Sequence, residues 1–194
     1  MPNRIKADSA SGLQLISDSS DEIQIQSGTD TVATINSSGI TMGSGKNLVQ
    51  TNAPAFSAYK SSDQSVSAST WTKVTFDTEH FDTNNNFADS KFTPTVAGYY
   101  QVNSNILSGA TSGLTRLMAI IYKNGQRHNW IGYHEGYNNV EGVVCGSALV
   151  YMNGTTDYLE VYGFLDGTTP LFRGGNTSTT SSYTHFSGFL ARAV

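Results

Sequence analysis

Of the 194 residues only 13% are charged, well below the roughly 25% of an ordinary globular protein, and Ser, Thr, Asn and Gly take their place. The net charge of -4 argues against nucleic-acid binding, which needs clustered Lys and Arg. No run approaches the ~18 apolar residues that span a bilayer, so no membrane insertion is expected.

The opening Met1-Pro-Asn-Arg-Ile-Lys6 has no apolar core of signal-peptide length, and we expect a soluble protein without a cleaved export signal. Residues 1–55 contain no Phe, Tyr or Trp. Without aromatic side chains a segment builds a thin core at best. What it has is short apolar alternation: Leu13 and Leu15, Ile23 and Ile25, Val32 and Ile35, Ile40 and Met42, then Leu48 and Val49. Turn formers such as Ser27-Gly-Thr-Asp30 and Asn36-Ser-Ser-Gly39 separate the pieces, so short strands at roughly ten-residue spacing are predicted. Such strands are marginal alone in water. Association of identical chains around one narrow core is the physical escape; a disordered linker is the alternative.

Gln50-Thr-Asn-Ala-Pro54 is the junction, giving a segment 1–53 and a domain 54–194. A dense β pattern follows. Ala55-Phe-Ser-Ala-Tyr-Lys60 and Trp71-Thr-Lys-Val-Thr-Phe76 read as strands, and residues 77–90 as a polar loop. Phe92-Thr-Pro-Thr-Val-Ala-Gly-Tyr-Tyr-Gln-Val-Asn-Ser104 is the best-marked strand: Tyr100, Val102 and Ile106 share a dry face, and Gln101, Asn103 and Asn105 a wet one. Gly98 suits either a positive φ or a close backbone approach. A loop is expected at 108–113, then an apolar strand at 117–122 closed by the hairpin signal Asn124-Gly125. Residues 127–142 are polar, with a short strand near 129–133. Strands follow at 143–152, 158–165 and 183–193, with a loop at 166–182. The lone Cys145 excludes a disulfide framework and reads as a small buried hydrophobe in its apolar run. No convincing helical period appears, so the domain is an all-β sandwich or barrel.

Strand 158–165 is apolar on both faces, Leu159, Val161 and Leu165 on one and Tyr158, Tyr162 and Phe164 on the other. A sandwich strand has one core side, so the second face needs a partner: a homo-oligomeric interface, or loops folded over it.

Catalytic chemistry is sought without success. Gly39-Ile-Thr-Met-Gly-Ser-Gly-Lys46 has glycines and a lysine, but at the wrong spacing for a phosphate loop. His80, His128, His134 and His185 show no ligand spacing, and no Gly-x-Ser-x-Gly elbow is present. Asp82-Thr-Asn-Asn-Asn86 begins like a calcium loop but lacks its central Gly and closing Glu. Recognition is the better reading, and no enzyme is expected. In Asn129-Trp-Ile-Gly-Tyr-His-Glu-Gly-Tyr-Asn-Asn139, the side chains Trp130, Tyr133, His134 and Tyr137 combine stacking faces with hydrogen-bonding groups suited to a glycan. The loop Leu171-Phe-Arg-Gly-Gly-Asn-Thr-Ser178 adds Arg173, able to pair with an anionic surface group, and Asn176.

Residues 92–102 resemble the signature strand of the complement C1q-like globular domain, which shares its jelly roll with tumour necrosis factor. Val74-Thr-Phe-Asp-Thr-Glu-His-Phe-Asp-Thr-Asn-Asn-Asn-Phe87, Tyr122-Lys-Asn-Gly-Gln126 and Phe186-Ser-Gly-Phe-Leu190 are similar to that family in the right order, with Val102 where it usually has Phe. The resemblance implies a ten-stranded jelly roll in a tight homotrimer, and binding rather than catalysis. It makes Tyr158, Tyr162, Phe164, Phe92, Tyr100, Phe186 and Phe189 candidate interface or core residues. Some relatives bind calcium, for which Asp77, Asp82 and Asp89 are the available ligands; no other cofactor is implied. Residues 27–42 resemble the repetitive segments of bacteriophage tail fibres, implying an intertwined β shaft before the head. The expectation is a trimeric virion fibre, its head on a bacterial surface receptor and its shaft among other virion proteins. The alternatives are a purely structural virion component and a secreted bacterial lectin.

Overall fold

The computed structural model describes residues 22–48, 53–175 and 182–194, with the side chains of residues 137 and 138 excepted. It is all-β and divides into two units between residues 51 and 52. Leu13, Leu15, Val49 and Asn176 lie outside the described residues, as does the side chain of Tyr137.

The first unit is an antiparallel meander of β1 (Ile23–Ser27), β2 (Asp30–Asn36) and β3 (Gly39–Met42). Ile23 pairs with Ile35 and Ile25 with Ala33, while Ala33 pairs with Met42 and Ile35 with Ile40. Paired residues share a face, so Ile23, Ile25, Ala33, Ile35, Ile40 and Met42 make one largely apolar side, with Thr31 of β2 beside them. Val32 stands on the opposite face from Ile35, contrary to their grouping by composition, because they are three positions apart on a two-residue period. Only Ala33 is buried; Ile25 and Ile40 are 50% and 69% exposed.

The second unit is a jelly-roll sandwich built around two very long strands, β10 (Gly98–Lys123) and β11 (Gln126–Met152), joined by the predicted Asn124-Gly125 turn. Each runs through both layers. In the first layer, residues 98–105 of β10 lie between the end of β11 and β14 (His185–Ala193), followed by β4 (Ala55–Tyr59) and β7 (Thr78–Asp82). In the second, residues 116–123 of β10 lie between the start of β11 and β12 (Leu159–Thr168), which also pairs with β6 (Thr72–Lys73) and β9 (Lys91–Phe92). The short β5 (Gln64–Ser65), β8 (Phe87–Ala88) and β13 (Leu171–Phe172) close the ends.

Between the layers lie Phe56, Tyr100, Val102, Ile106 and Phe186 from the first and Leu117, Ala119, Ile121, Leu159, Val161 and Leu165 from the second. Phe56 is the hub: its ring stacks on Phe92 and Phe87 at 4.3 and 4.9 Å and meets the edge of Phe186 at 4.9 Å. Tyr100 is fully buried, its hydroxyl donating to the Val96 carbonyl at 2.8 Å, and burial pushes its phenol up to about 12. Gly98 has no positive φ; a Cβ there would lie 2.4 Å from the Arg192 carbonyl, so its role is close approach to β14.

Four local expectations change. Thr78, Phe81 and their neighbours form β7, because β4 offers an unpaired edge to these β-formers. Residues 108–113 and 136–141 are not breaks but bends within β10 and β11, carrying each chain segment from one layer to the other, while residues 127–135 pair with β10 as a second-layer strand that includes the expected 129–133. Gly146, beyond the second bend, lets the two halves of β11 approach closely: a Cβ there would lie 2.2 Å from the Ile131 carbonyl. Cys145 is exposed, because β11 is half-buried in the alternating sense and odd positions from 143 to 151 point outward.

Candidate functional site

Two outer faces and one loop end carry the candidate residues. The outward face of the first layer presents Tyr99, Gln101, Asn103, Asn105 and Leu107 from β10 and Val143, Cys145, Ser147, Leu149 and Tyr151 from β11. His185, Ser187 and Phe189 of β14 and Ala55, Ser57 and Tyr59 of β4 extend it, with Phe81 at the far edge. None of these side chains is charged, although exposed Arg192 of β14 stands opposite Tyr99 and the Lys123 ammonium lies 5.6 Å over the Tyr151 ring. Yet Leu149 is 59% exposed, Phe81 51%, Phe189 50% and Tyr151 44%, and Tyr99 and Tyr151 pack at 5.6 Å in the open. Half-buried His185 faces Asn105, Tyr59 and His80; burial first, and then His80, hold its imidazole below the ordinary value of 6.5. His80 itself stacks on Tyr59 at 4.5 Å and hydrogen-bonds Ser182 at 3.0 Å.

The outward face of the second layer differs. Ile120 stands in register between Trp130 and Tyr162, and Met118 between Tyr133 and Phe164. Both point away from the core, but are only 1% and 7% exposed. Trp71, in the segment just before β6, is the cover: its indole meets Phe164 and Trp130 at 5.5 Å each, partners on opposite sides of β10, so it lies across that strand. Tyr122 stacks on Tyr162 at 4.0 Å, and Lys91 sits 4.6 Å above the Tyr158 ring. Tyr158, Tyr162 and Phe164 are thus half-buried by their own chain. Folded-over chain covers this face, and the open apolar face is the first layer's.

Trp130 and Tyr133 remain 54% and 59% exposed at the free edge of β11, in edge contact at 6.3 Å. Around them stands a polar rim. Arg127 lies 4.9 Å over Trp71. Arg116 lies over Phe164 and reaches both Asp166, at 3.4 Å, and Glu135, at 3.9 Å. The Tyr133 hydroxyl donates to Glu135, which raises its phenol above the ordinary value. His134 is exposed on the same strand, in register with Leu117. Sequence reasoning missed Trp71, Arg116 and Arg127 as members of this group; their sequence separation hid it.

Arg173 sits apart, at one end of the sandwich. Its guanidinium pairs with Asp63 at 3.2 Å and Glu141 at 3.0 Å, so its charge is met within the chain. Phe92, Tyr100 and Phe186 are fully buried in the core, whereas Phe189 faces outward on the first layer.

The three carboxylates considered for calcium are each held in local structure. Asp77 accepts from the Ser61 amide at 2.7 Å, Asp82 from the Phe87 amide at 2.7 Å, and Asp89 occupies a left-handed turn at φ 52°. Among the described residues no group of three or more His, Cys, Asp or Glu converges as a ligand set. Lys46, in the glycine-rich turn after β3, pairs with Asp30 at 3.2 Å beside a shallow pocket lined also by Thr29, Thr31, Gly43 and Ser44. No helix among the described residues is long and apolar enough to cross a membrane.

No protein-family model matches the chain, and no curated protein sequence matches it. Solved structures do. The globular domain of zebrafish complement 1qA superposes with a TM-score of 0.53 at 20% identity, covering 73% of this chain and 99% of that one. Eiger TNF from S. frugiperda superposes with a TM-score of 0.50 at 10% identity, covering 73% and 93%. At these identities the likeness establishes the fold: the chain carries the jelly roll of the C1q and TNF globular domains.

Proposed function

We propose that this chain forms a homotrimeric recognition protein, a C1q-like head on a thin β stalk, acting as a bacteriophage fibre that contacts a receptor on the bacterial surface. The largely apolar and aromatic outward face of the first layer carries this reading. Exposed Leu149, Tyr151, Tyr99, Phe189 and Phe81 on neighbouring strands form a patch rather than scattered single residues. Its make-up, rich in Tyr and Phe with charge confined to Arg192 and Lys123 at the Tyr99–Tyr151 end, is that of an interface core. The occupant is a second and third copy of the chain, because the first unit makes the same demand. Its three-stranded sheet leaves six aliphatic side chains on one side, of which only Ala33 is buried, so that side gains from being covered. Both units are satisfied by one assembly. The fibre assignment draws on the tail-fibre-like residues 27–42.

Light scattering on the purified chain at micromolar concentration tests the assembly: the expected mass is three times 20.8 kDa, about 62 kDa. A stable 20.8 kDa species refutes it. The role is tested by adding the purified trimer to host cells before phage. Blocked adsorption is expected, and unimpeded adsorption at saturating protein removes the receptor-binding role in favour of a structural virion part.

A further inference from the structure

We infer that the outward face of the second layer is a binding platform for a neutral hexopyranose in a surface glycan, seated on Trp130 and Tyr133; this rests on the recognition reading above. Self-association, as proposed, takes the opposite side of the sandwich, so this platform stays open in the trimer. It differs from the assembly face in kind. There the exposed groups are mostly Leu, Phe, Tyr and neutral amides, with Arg192 and Lys123 at one end and no carboxylate among that face's paired residues of β10, β11 and β14; here two exposed aromatic rings stand among charged groups that already neutralise one another. Arg116 is balanced by Glu135 and Asp166, whose second oxygens take the Tyr133 and Ser69 hydroxyls and keep a lone pair each, and Arg127 lies over Trp71 with its Nε donating to the Tyr122 hydroxyl at 3.4 Å and its two terminal NH2 groups left to donate.

Pyranose rings match that division. One face of the ring is a row of C–H groups, which lies against an aromatic ring. Its edge is a row of hydroxyls, each both donor and acceptor, which pairs with carboxylate oxygens and guanidinium N–H groups. A charge-balanced rim favours a neutral sugar over an acidic one, which would have to displace Glu135 or Asp166 from Arg116. Trp71 supports the platform: packed between Phe164 and Trp130, it holds the Trp130 indole upright at the strand edge.

Trp71 and Trp130 are the chain's two tryptophans, so the emission of the native full chain reports this face alone. The experiment titrates the full chain with methyl β-galactoside, methyl β-glucoside, methyl α-mannoside and N-acetylglucosamine, reading emission and calorimetry. A saturable response to at least one, unchanged by salt, is expected. Trp130→Ala should weaken it about tenfold, the loss of one ring-stacking contact, with the oligomer and circular dichroism unchanged. Tyr133→Ala, at an equally exposed position, is the second variant and should weaken it in the same direction. No saturable response to any of the four up to the solubility limit overturns the inference, as does undiminished binding in both variants. Binding confined to uronic acids and abolished by salt overturns the neutral class. If the trimer forms and adsorption is blocked, but protease treatment of host cells removes the receptor while periodate does not, the ligand is a protein; the glycan inference falls and the fibre reading stands. A monomer that still binds the glycoside refutes the trimeric fibre and leaves the sugar platform standing.

Discussion

Leu149→Asp separates what the protomer needs from what the assembly needs. In the protomer Leu149 is 59% exposed, opposite Gln101 on β10, and touches no core position. Its replacement should therefore change protomer stability by less than about 1 kcal/mol, the span of strand propensity. In the proposed trimer the exposed part of each side chain is buried. Full burial of a Leu is worth about 1.5–3 kcal/mol, so the remaining share is about 1–2 kcal/mol per copy. Asp forfeits that and adds a desolvated carboxylate costing several kcal/mol per ion. Arg192 and Lys123 stand at the Tyr99–Tyr151 end of the face, and Lys123 is already paired with Asp157, so three copies raise the penalty to the order of 10 kcal/mol per trimer. Each 1.4 kcal/mol is a tenfold change, so the variant should be monomeric at any ordinary working concentration. Light scattering reads the mass, and circular dichroism with a thermal melt at matched concentration confirms that the monomer is folded. A Leu149→Asp protein that remains trimeric would refute the placement of the interface on this face.

Phe56→Ala should act on the core instead: removing a ring stacked on Phe87 and Phe92 costs about 3–5 kcal/mol, visible as a loss of roughly 10 °C or more in Tm. An unchanged melt would discount Phe56 as the hub. Gly146→Ala places a methyl against the Ile131 carbonyl and should destabilise by about 1–3 kcal/mol through overpacking, read as a lower denaturant midpoint. Acid should weaken the protein through His185. Its folded value lies below the ordinary 6.5, so the unfolded chain binds the proton more readily. The contribution is intact above 6.5 and is lost as pH falls through that value toward the lower folded one. His185→Asn should flatten that part of the stability-against-pH curve; an identical curve would rule out His185 as its source.

The jelly roll was largely legible in the chain because its strands alternate cleanly and its turns are chemically marked. Tyr100, Val102 and Ile106 are core as their period requires, and Asn124-Gly125 turns where expected. The bends at 108–113 and 136–141 looked like breaks because Gly and polar residues signal an end to pairing. In the fold they lie at the crossing from one layer to the other, where a strand continues while its partners change. The exposed Cys145 was misread for a related reason. An unbroken apolar run from 143 to 150 suggests burial on both sides, whereas its alternate members face outward on the assembly face.

Recognising an uncovered face needed the third dimension. Strand 158–165 with its two apolar sides pointed to an interface at Tyr158, Tyr162 and Phe164, and the period correctly put these three on the side away from the core. Whether such a side is open depends on what lies over it, and Trp71 comes from a segment far earlier in the chain. Composition and period by themselves determined an all-β chain, its aromatic-free first part and the dry face of each strand, since these follow from local side-chain chemistry. Tertiary structure alone decided which outward face is covered and which stands open, and that Trp71 and Trp130 share one platform. Those contacts join residues far apart in sequence, and no local pattern records them.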